Sequence, residues 1–152
     1  MSDFLDDLDL DTKESRQGGF KFLPKVVSKV KVKLLSIRQV QGHKAKAINI
    51  KVEVKGSNSE EIPVGEVYDL YLSMAGDQVQ YTSRNIQAIM AAVCKKDFKD
   101  PKFLARPAMQ ERVNLGEDLA ELNEEFIIEQ LLRTNKETGE EQVGFPIYYA
   151  TT

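Results

Sequence analysis

The chain has 152 residues, and its 24 acidic against 21 basic side chains give a formal net charge of −3. This length favours one domain, and its 41% apolar and 30% charged residues are typical of a soluble protein. No run of about eighteen apolar residues predicts a membrane span, and the amino terminus lacks the order of a signal peptide. We therefore expect a cytoplasmic location and no membrane partner.

The chain has one cysteine, Cys94, and one histidine, His43. A single cysteine excludes an internal disulfide framework. One cysteine and one histidine also supply too few side chains for an obvious zinc site or for a Cys/His or Ser/His catalytic pair. Cys94 ends an apolar helical pattern, which predicts a small buried residue rather than a nucleophile. We expect no metal, no cofactor and no catalytic residue. A metal-dependent nuclease stays the enzymatic alternative, although no carboxylates have convincing spacing for it.

Residues 1–19 begin with five aspartates and have no basic residue before Lys13. The pair Gly18-Gly19 predicts a flexible joint to a domain over residues 20–152. Three interpretations of this acidic arm stay open: an inert solubilising end, a motif that docks on a partner, and an autoinhibitory arm over the protein's own basic surface. The arm residues of interest are Asp3, Phe4, Asp6, Asp7, Asp9 and Asp11.

Two runs of alternating basic and β-branched residues follow, from Lys25 to Arg38 and from Ala47 to Lys55. Alternation with period two predicts strands buried on one face, and the polar link containing Gly42 predicts a hairpin. The hairpin region carries nine basic residues against one acid. In the first run the alternation slips at Leu34-Leu35, which predicts a β-bulge or sharp bend, with Leu35 and Ile37 facing inward afterwards.

The rest of the chain predicts three more strands and a helix. A third strand over 66–74 places Tyr68, Leu70 and Leu72 on one face and Tyr71 on the other. A turn and a short segment at 79–81 precede a helix that Ser83 caps and that runs to about residue 95. Residues 108–114 predict one or two helical turns, and 117–125 a short acidic helix or loop. The fourth and fifth strands are expected at 126–134 and 143–149, the last at an edge or bulge because of its proline.

The predicted order is strand, strand, strand, helix, strand, strand. We therefore expect a mainly β protein with one or two helices, arranged as the five-stranded barrel of the oligonucleotide-binding (OB) fold. SH3-like barrels and an α+β sandwich fit the same order and stay open as alternatives.

Several short segments add a resemblance. They are the lysine-rich first strand, Gly42 to Ala45 in the hairpin, Val64-Gly65-Glu66, the tyrosine-bearing third strand, and Asn85 to Val93 in the helix. Together they resemble small bacteriophage single-stranded DNA-binding proteins, loosely over residues 20–150. The resemblance implies an OB-fold and coating of single-stranded DNA in replication and recombination, in the host cell cytoplasm if the protein is viral. Many such proteins carry an acidic tail at the carboxyl end, whereas here the acidic stretch is at the amino end.

Binding of single strands without sequence preference needs a positive groove for phosphates and aromatic faces for bases. Tyr71 is the first candidate for stacking, because the alternation of side chains along the third strand makes it face outward. Tyr68 is on the same face as Leu70 and Leu72 and is favoured as a core residue. Solvated lysines that guard a sheet edge against aggregation are the alternative for the basic strands. The predicted nucleic-acid-binding residues are Lys29, Lys31, Lys33, Arg38, Lys44, Lys46, Lys51, Tyr71, Tyr81 and Arg84.

Two non-enzymatic functions compete. The first is sequence-independent binding and protection of single-stranded DNA, with replication or recombination proteins as further partners and a homo-oligomer as one option. The alternative is a protein-interaction module, a replication or virion accessory subunit that acts through the acidic amino-terminal arm. If the arm is autoinhibitory, deletion of residues 1–12 removes a competing anion.

Overall fold

The computed structural model describes residues 20–42, 45–97, 99–100 and 102–151. The predicted acidic arm of residues 1–19, with Asp3, Phe4, Asp6, Asp7, Asp9 and Asp11, lies outside the described residues. His43 and the predicted phosphate contact Lys44 also lie outside them.

A five-stranded antiparallel sheet dominates the fold. In chain order the strands are β1 (Ser28–Gln41), β2 (Lys46–Ser57), β3 (Val67–Ser73), β4 (Glu125–Gln130), β5 (Leu132–Thr134), β6 (Glu141–Val143) and β7 (Ile147–Ala150). The main sheet has the order β3-β2-β1-β4-β7, and β5 and β6 form a separate two-stranded sheet. The predicted mainly β architecture is confirmed. The edge strands β3 and β7 do not pair within the described residues, so the sheet is not closed into a barrel.

The predicted irregularity in β1 is confirmed. The register between β1 and β2 shifts between Leu34 and Ser36, which leaves Leu35 as the extra residue of a bulge. Ile37 is fully buried, as predicted, whereas Leu35 is only partly buried because it is the unpaired residue. The first half of β1 pairs with both β2 and β4, and beyond Lys33 the strand pairs with β2 alone. The bulge therefore lies just beyond the point where β1 leaves β4.

Two helices and one 3₁₀ helix connect β3 to β4. Helix α1 spans Gln78–Val93 and α2 spans Ala105–Leu115, followed by the 3₁₀ helix Gly116–Leu122. The predicted helix start at Ser83 is wrong, because residues 79–81 already form the first turn of α1. The hydroxyl of Thr82 donates a hydrogen bond to the carbonyl of Ser73 and so ties that turn to the end of β3. Helix α1 therefore begins before the predicted cap at Ser83, directly beside the edge strand.

The two carboxyl-terminal strands are each broken in the middle, unlike the continuous strands that the sequence predicts. The break between β4 and β5 lies at Leu131, and the break between β6 and β7 lies at residues 144–146. Pro146 has no N–H to donate to a ladder, and the N–H of Gly144 donates to the carbonyl of Leu131 at 2.9 Å. The outer half of this hairpin thus leaves the main sheet, and Phe145 at the break faces solvent.

The core lies between the inner face of the main sheet and α1. Alternate residues of every main strand face it, including Tyr68, which is buried as predicted. Helix α2 contains the buried Arg112. Its Nε donates a hydrogen bond to Oε1 of Glu124 at 2.8 Å, and its Nη2 pairs with the second carboxylate oxygen. This bidentate pair fixes α2 to the segment that enters β4.

Candidate nucleic-acid interface

A groove of about 700 Å³ opens between the two unpaired edges of the main sheet. Strand β3 forms one wall, the first two turns of α1 form another, and the residues around the β6–β7 break form the third. We call it the seam groove, because it follows the line along which a closed barrel would join β3 to β7. Three of the predicted binding residues line it: Tyr71, Tyr81 and Arg84.

Aromatic side chains are concentrated in the seam groove. Phe145 is 84% exposed, Tyr81 63% and Phe22 58%. Tyr71 is partly exposed, and Tyr148 is buried beneath them. Large aromatic side chains in a folded protein normally bury most of their surface. A group of exposed rings around one concave surface therefore makes the seam groove the candidate binding site.

Phe20, Phe22 and Tyr71 form a cluster at one end of the groove. The rings of Phe20 and Phe22 stack with their centroids 6.1 Å apart. Both meet the Tyr71 ring edge to face, at 5.5 Å and 6.2 Å. This geometry is the favoured one for aromatic pairs. The cluster confirms that Tyr71 lies on the face of β3 opposite its core residues.

Asp69 holds the segment that carries the two phenylalanines. One carboxylate oxygen of Asp69 accepts the backbone N–H of Lys21 at 2.8 Å, and the N–H of Asp69 donates to the Lys21 carbonyl at 2.7 Å. The other carboxylate oxygen accepts the side-chain amide of Asn49 at 2.9 Å. Asp69 and Asn49 are both buried. This network attaches residues 20–22 to the free edge of β3 and presents Phe20 and Phe22 beside Tyr71.

The turn between β1 and β2 packs directly against Tyr71. A Cβ atom added at Gly42 would lie 2.3 Å from the Tyr71 hydroxyl and 2.6 Å from the carbonyl of Ala45. The N–H of Gly42 donates to that same carbonyl at 2.8 Å, which closes the turn. Only glycine fits here without displacing Tyr71, so the Gly42 turn helps to position the ring.

Among the described residues, the charged side chains that line the seam groove are Arg84 and the buried Asp69, and Lys25 and Lys21 lie beside it. Arg84 is exposed and forms no ion pair within the described residues. The Nζ atom of Lys25 lies 5.9 Å from the centre of the Phe145 ring. Lys21 is hydrogen-bonded to Glu66 at 2.8 Å, and this contact raises the pKa of Lys21. Burial raises the pKa of Tyr148, which lies in the groove lining, to about 12.

The predicted basic strands have a different environment from the one that the sequence suggests. Lys29, Lys31 and Lys33 lie on the outer face of β1, as the alternation predicts. Strand β4 places Glu129 opposite Lys29 and Glu125 opposite Lys33. The Nζ atom of Lys31 lies 4.0 Å from the carboxylate of Glu125. The outer face is thus a mixed ladder of lysines and glutamates rather than a uniformly positive surface.

The remaining predicted cations are dispersed over the same sheet. Arg38 pairs with Glu117 of the 3₁₀ helix, while Lys46 is exposed and Lys51 is partly exposed. In the register, Arg38 lies opposite Asn49, and Asn49 lies opposite Tyr71. Arg38 therefore shares the outer face of Tyr71 two strands away, roughly 10 Å along the hydrogen-bonding direction. Because exposed ion pairs contribute only about 0–1 kcal/mol, these cations can exchange a carboxylate for another anion at little cost.

Sequence reasoning missed the most exposed ring of the site. The sequence predicts Phe145 inside a fifth strand, where it is one of several candidate packing residues. Its position between Gly144 and Pro146 is the signal that was available, because both neighbours interrupt a strand. Phe22 is not among the predicted binding residues, since nothing in the sequence shows that its segment bridges to Asp69.

No protein-family model matches the chain. The curated proteins contain no significant match either. In the part of the chain that the structure describes, no group of three or more His, Cys, Asp or Glu side chains is placed to hold a metal ion. None of the helices in that part is long and apolar enough to cross a membrane.

Proposed function

We propose that this protein binds single-stranded DNA without sequence preference, with bases stacked in the seam groove and phosphates held by the cations around it. One observation carries the proposal: five aromatic side chains line a single groove that also contains the exposed Arg84. Aromatic stacking beside a positive surface is how proteins bind single strands independently of sequence.

The exposed aromatic rings of the groove favour a flexible ligand that carries planar groups over a compact polar ligand. Phe22, Tyr81 and Phe145 each expose more than half of their surface and come from three separate segments, so we expect successive bases to stack on different rings. The polar side chains at the wall, such as Gln78 and Asn85, come from α1. Such a surface provides stacking for any base, whereas base-specific recognition needs a fixed set of donors and acceptors.

The mixed sheet face is the second part of the proposal. By register, Lys29, Lys31 and Lys33 share the outer face of the sheet with Arg38, Lys51 and Tyr71. We expect these side chains to exchange their carboxylate partners for phosphates when a strand is bound. Each such contact releases a counterion, so the affinity falls as salt is added. The logarithm of the binding constant should fall linearly with the logarithm of the salt concentration, with a slope of about −0.7 for each phosphate contacted.

We also infer an OB-fold from the order of the strands. If β4 and β7 are counted as the fourth and fifth barrel strands, the sheet order becomes third, second, first, fourth and fifth. The bent first strand lies at its centre, and α1 follows the third strand. A partly open five-stranded barrel of this kind binds oligonucleotides on the face of its second and third strands. Tyr71 and its aromatic cluster lie at that face.

The biological setting is proposed on the resemblance alone. It would be the coating and protection of single strands during bacteriophage DNA replication and recombination. The alternative, a protein-interaction module that acts through the acidic arm, stays a prediction because the arm lies outside the described residues.

Titration of a fluorescein-labelled poly-dT oligonucleotide tests the proposal. Binding should be detectable by fluorescence anisotropy at about 50 mM salt and should weaken strongly by about 200 mM. Replacing Tyr81 by Ala should lower the affinity by about 1–3 kcal/mol, the usual value of one stacked base. The matched control is Tyr149→Ala, which removes a partly exposed tyrosine from β7 outside the groove.

The two variants distinguish the groove from the lysine ladder. Tyr149 lies beside Lys29 and donates a hydrogen bond to Glu129 at 3.0 Å. If Tyr149→Ala weakens binding and Tyr81→Ala does not, the strand lies on the sheet face and the seam groove is not the site. Absence of binding by the unmodified protein at low salt would refute the proposed function altogether.

A further inference from the structure

A second groove, of about 620 Å³, lies between α1 and the start of α2. Gln87 of α1 lines one side, and Phe103, Leu104 and Ala105 line the other. Leu104 is 67% exposed and Phe103 is partly exposed. We call it the α1–α2 groove. An exposed leucine beside a phenylalanine in a concave surface is suited to an apolar side chain from another segment.

The surroundings of the α1–α2 groove are basic. Residues 95–106 contain five basic residues and two acids, although the chain as a whole is acidic. Lys102 and Arg106 are exposed and form no ion pair within the described residues. The acid in the lining, Asp100, accepts the backbone N–H of Lys102 at 2.9 Å. The first turn of α2 contains no acidic residue, so the positive end of the helix is not neutralised from within.

One segment of this chain has the complementary chemistry. Residues 3–11 read Asp-Phe-Leu-Asp-Asp-Leu-Asp-Leu-Asp, with five carboxylates, four apolar side chains and no basic residue. The apolar residues of this segment match Phe103 and Leu104, and its aspartates match the basic rim.

The tether is long enough for this segment to reach the groove within one molecule. Residues 12–19 separate it from Phe20, which is fixed beside Tyr71. Eight extended residues span roughly 26–29 Å, about twice the radius of gyration of roughly 14 Å expected for a domain of this size. Tyr71 and Arg84 line the seam groove together, and Gln87 follows Arg84 by one helical turn. A short tether gives an effective concentration in the millimolar range, which favours the same molecule over a second copy at micromolar protein.

We propose that the acidic segment Asp3–Asp11 docks intramolecularly in the α1–α2 groove, with its apolar side chains on Phe103 and Leu104 and its carboxylates on Lys102 and Arg106. This surface is distinct from the seam groove, and the inference does not depend on the proposed DNA binding.

Paramagnetic relaxation in the full-length protein tests this docking without any nucleic acid. A nitroxide label is placed on Ser2→Cys in a Cys94→Ala background, and the protein is labelled with ¹⁵N. We expect the amide signals of residues 103–106 to be attenuated severalfold relative to the reduced label, and tenfold dilution to leave the attenuation unchanged. In a mixture of spin-labelled ¹⁴N chains and unlabelled ¹⁵N chains, the attenuation should be absent.

A groove variant controls for folding. Leu104 is the N-cap residue of α2 and has an extended backbone conformation, which aspartate favours at that position. Leu104→Asp should therefore keep the melting temperature while it abolishes the attenuation, by removing the apolar contact and adding a negative charge. Arg106→Glu should also abolish it, and the added pair Asp6→Arg and Asp7→Arg should restore it.

Three results would overturn the inference. The first is no attenuation at residues 103–106, and the second is attenuation centred on Tyr71 and Tyr81, which would place the arm in the seam groove. The third is attenuation in the mixed sample, which would make a second copy the occupant. Each is independent of whether the protein binds DNA.

Discussion

Phe145 gives the sharpest test of the seam groove, because its ring contributes to the site and almost nothing to the fold. With 84% of the residue exposed, Phe145→Ala removes few packing contacts. Among the described residues, the aromatic contact that is lost is the cation–π pair with Lys25, an exposed interaction worth about 0.5–1 kcal/mol. We therefore expect the free energy of unfolding to fall by less than about 1 kcal/mol.

The expected effect on binding is larger. One stacked base contributes about 1–3 kcal/mol, so the dissociation constant of the variant should rise roughly 5- to 150-fold. Fluorescence anisotropy with a labelled poly-dT oligonucleotide at low salt measures this rise, and urea denaturation of the same samples measures the stability.

Leu132→Ala is the matched control. Leu132 is 51% exposed and lies on β5 of the same hairpin, outside the groove lining. We expect this variant to bind like the unmodified protein. If the two variants lose affinity equally, or if Phe145→Ala binds within twofold of the unmodified protein, the ring is not a stacking platform and the reasoning from exposure fails.

Three other predictions concern the fold and the arm. Replacing Arg112 by Met leaves the carboxylate of Glu124 without its partner and should lower the free energy of unfolding by about 3 kcal/mol in urea denaturation; a loss below about 1 kcal/mol would contradict this. Because burial raises the pKa of Tyr148 to about 12, the unfolded chain loses this proton first, and stability falls as the pH rises above about 10. Between about pH 8 and pH 11 the unmodified protein should lose about 1.4 kcal/mol more than Tyr148→Phe, and equal losses would show that the phenol is not buried. If the arm covers the DNA-binding surface instead of the α1–α2 groove, deleting residues 1–12 should tighten oligonucleotide binding at low salt more than at high salt, because a competing anion is removed; unchanged affinity would leave docking in the α1–α2 groove and the inert and partner-docking interpretations.

Local patterns in the sequence predicted what depends on neighbours along the chain. The alternation around Val30 and Val32 predicts which face of β1 is buried, and the slip at Leu34-Leu35 predicts the bulge, because both follow from the two-residue period of a strand. The same two-residue period predicts that Tyr71 and Tyr68 lie on opposite faces of β3. Each of these predictions is confirmed by the burial and the register.

Patterns along the chain could not predict what depends on neighbours across the sheet. The hairpin counts nine basic residues against one acid, but Lys29 and Lys33 have a second neighbouring strand, β4, nearly a hundred residues later. Its glutamates at 125 and 129 face them. The sequence therefore predicts the positions of these lysines correctly and overstates the net potential that they produce.

The same limitation explains why the aromatic residues, rather than the lysines, define the candidate site. A lysine on a half-exposed strand is compatible with solvent, with a carboxylate or with a phosphate, so its exposure distinguishes none of these. An exposed aromatic ring loses favourable burial and needs another reason to be there. Phe22, Tyr81 and Phe145 are far apart in sequence, and only the unpaired edges of β3 and β7 bring them into one groove. The open seam of the sheet is thus the structural cause of the candidate site: pairing of β3 with β7 would close the space in which we expect the bases to stack.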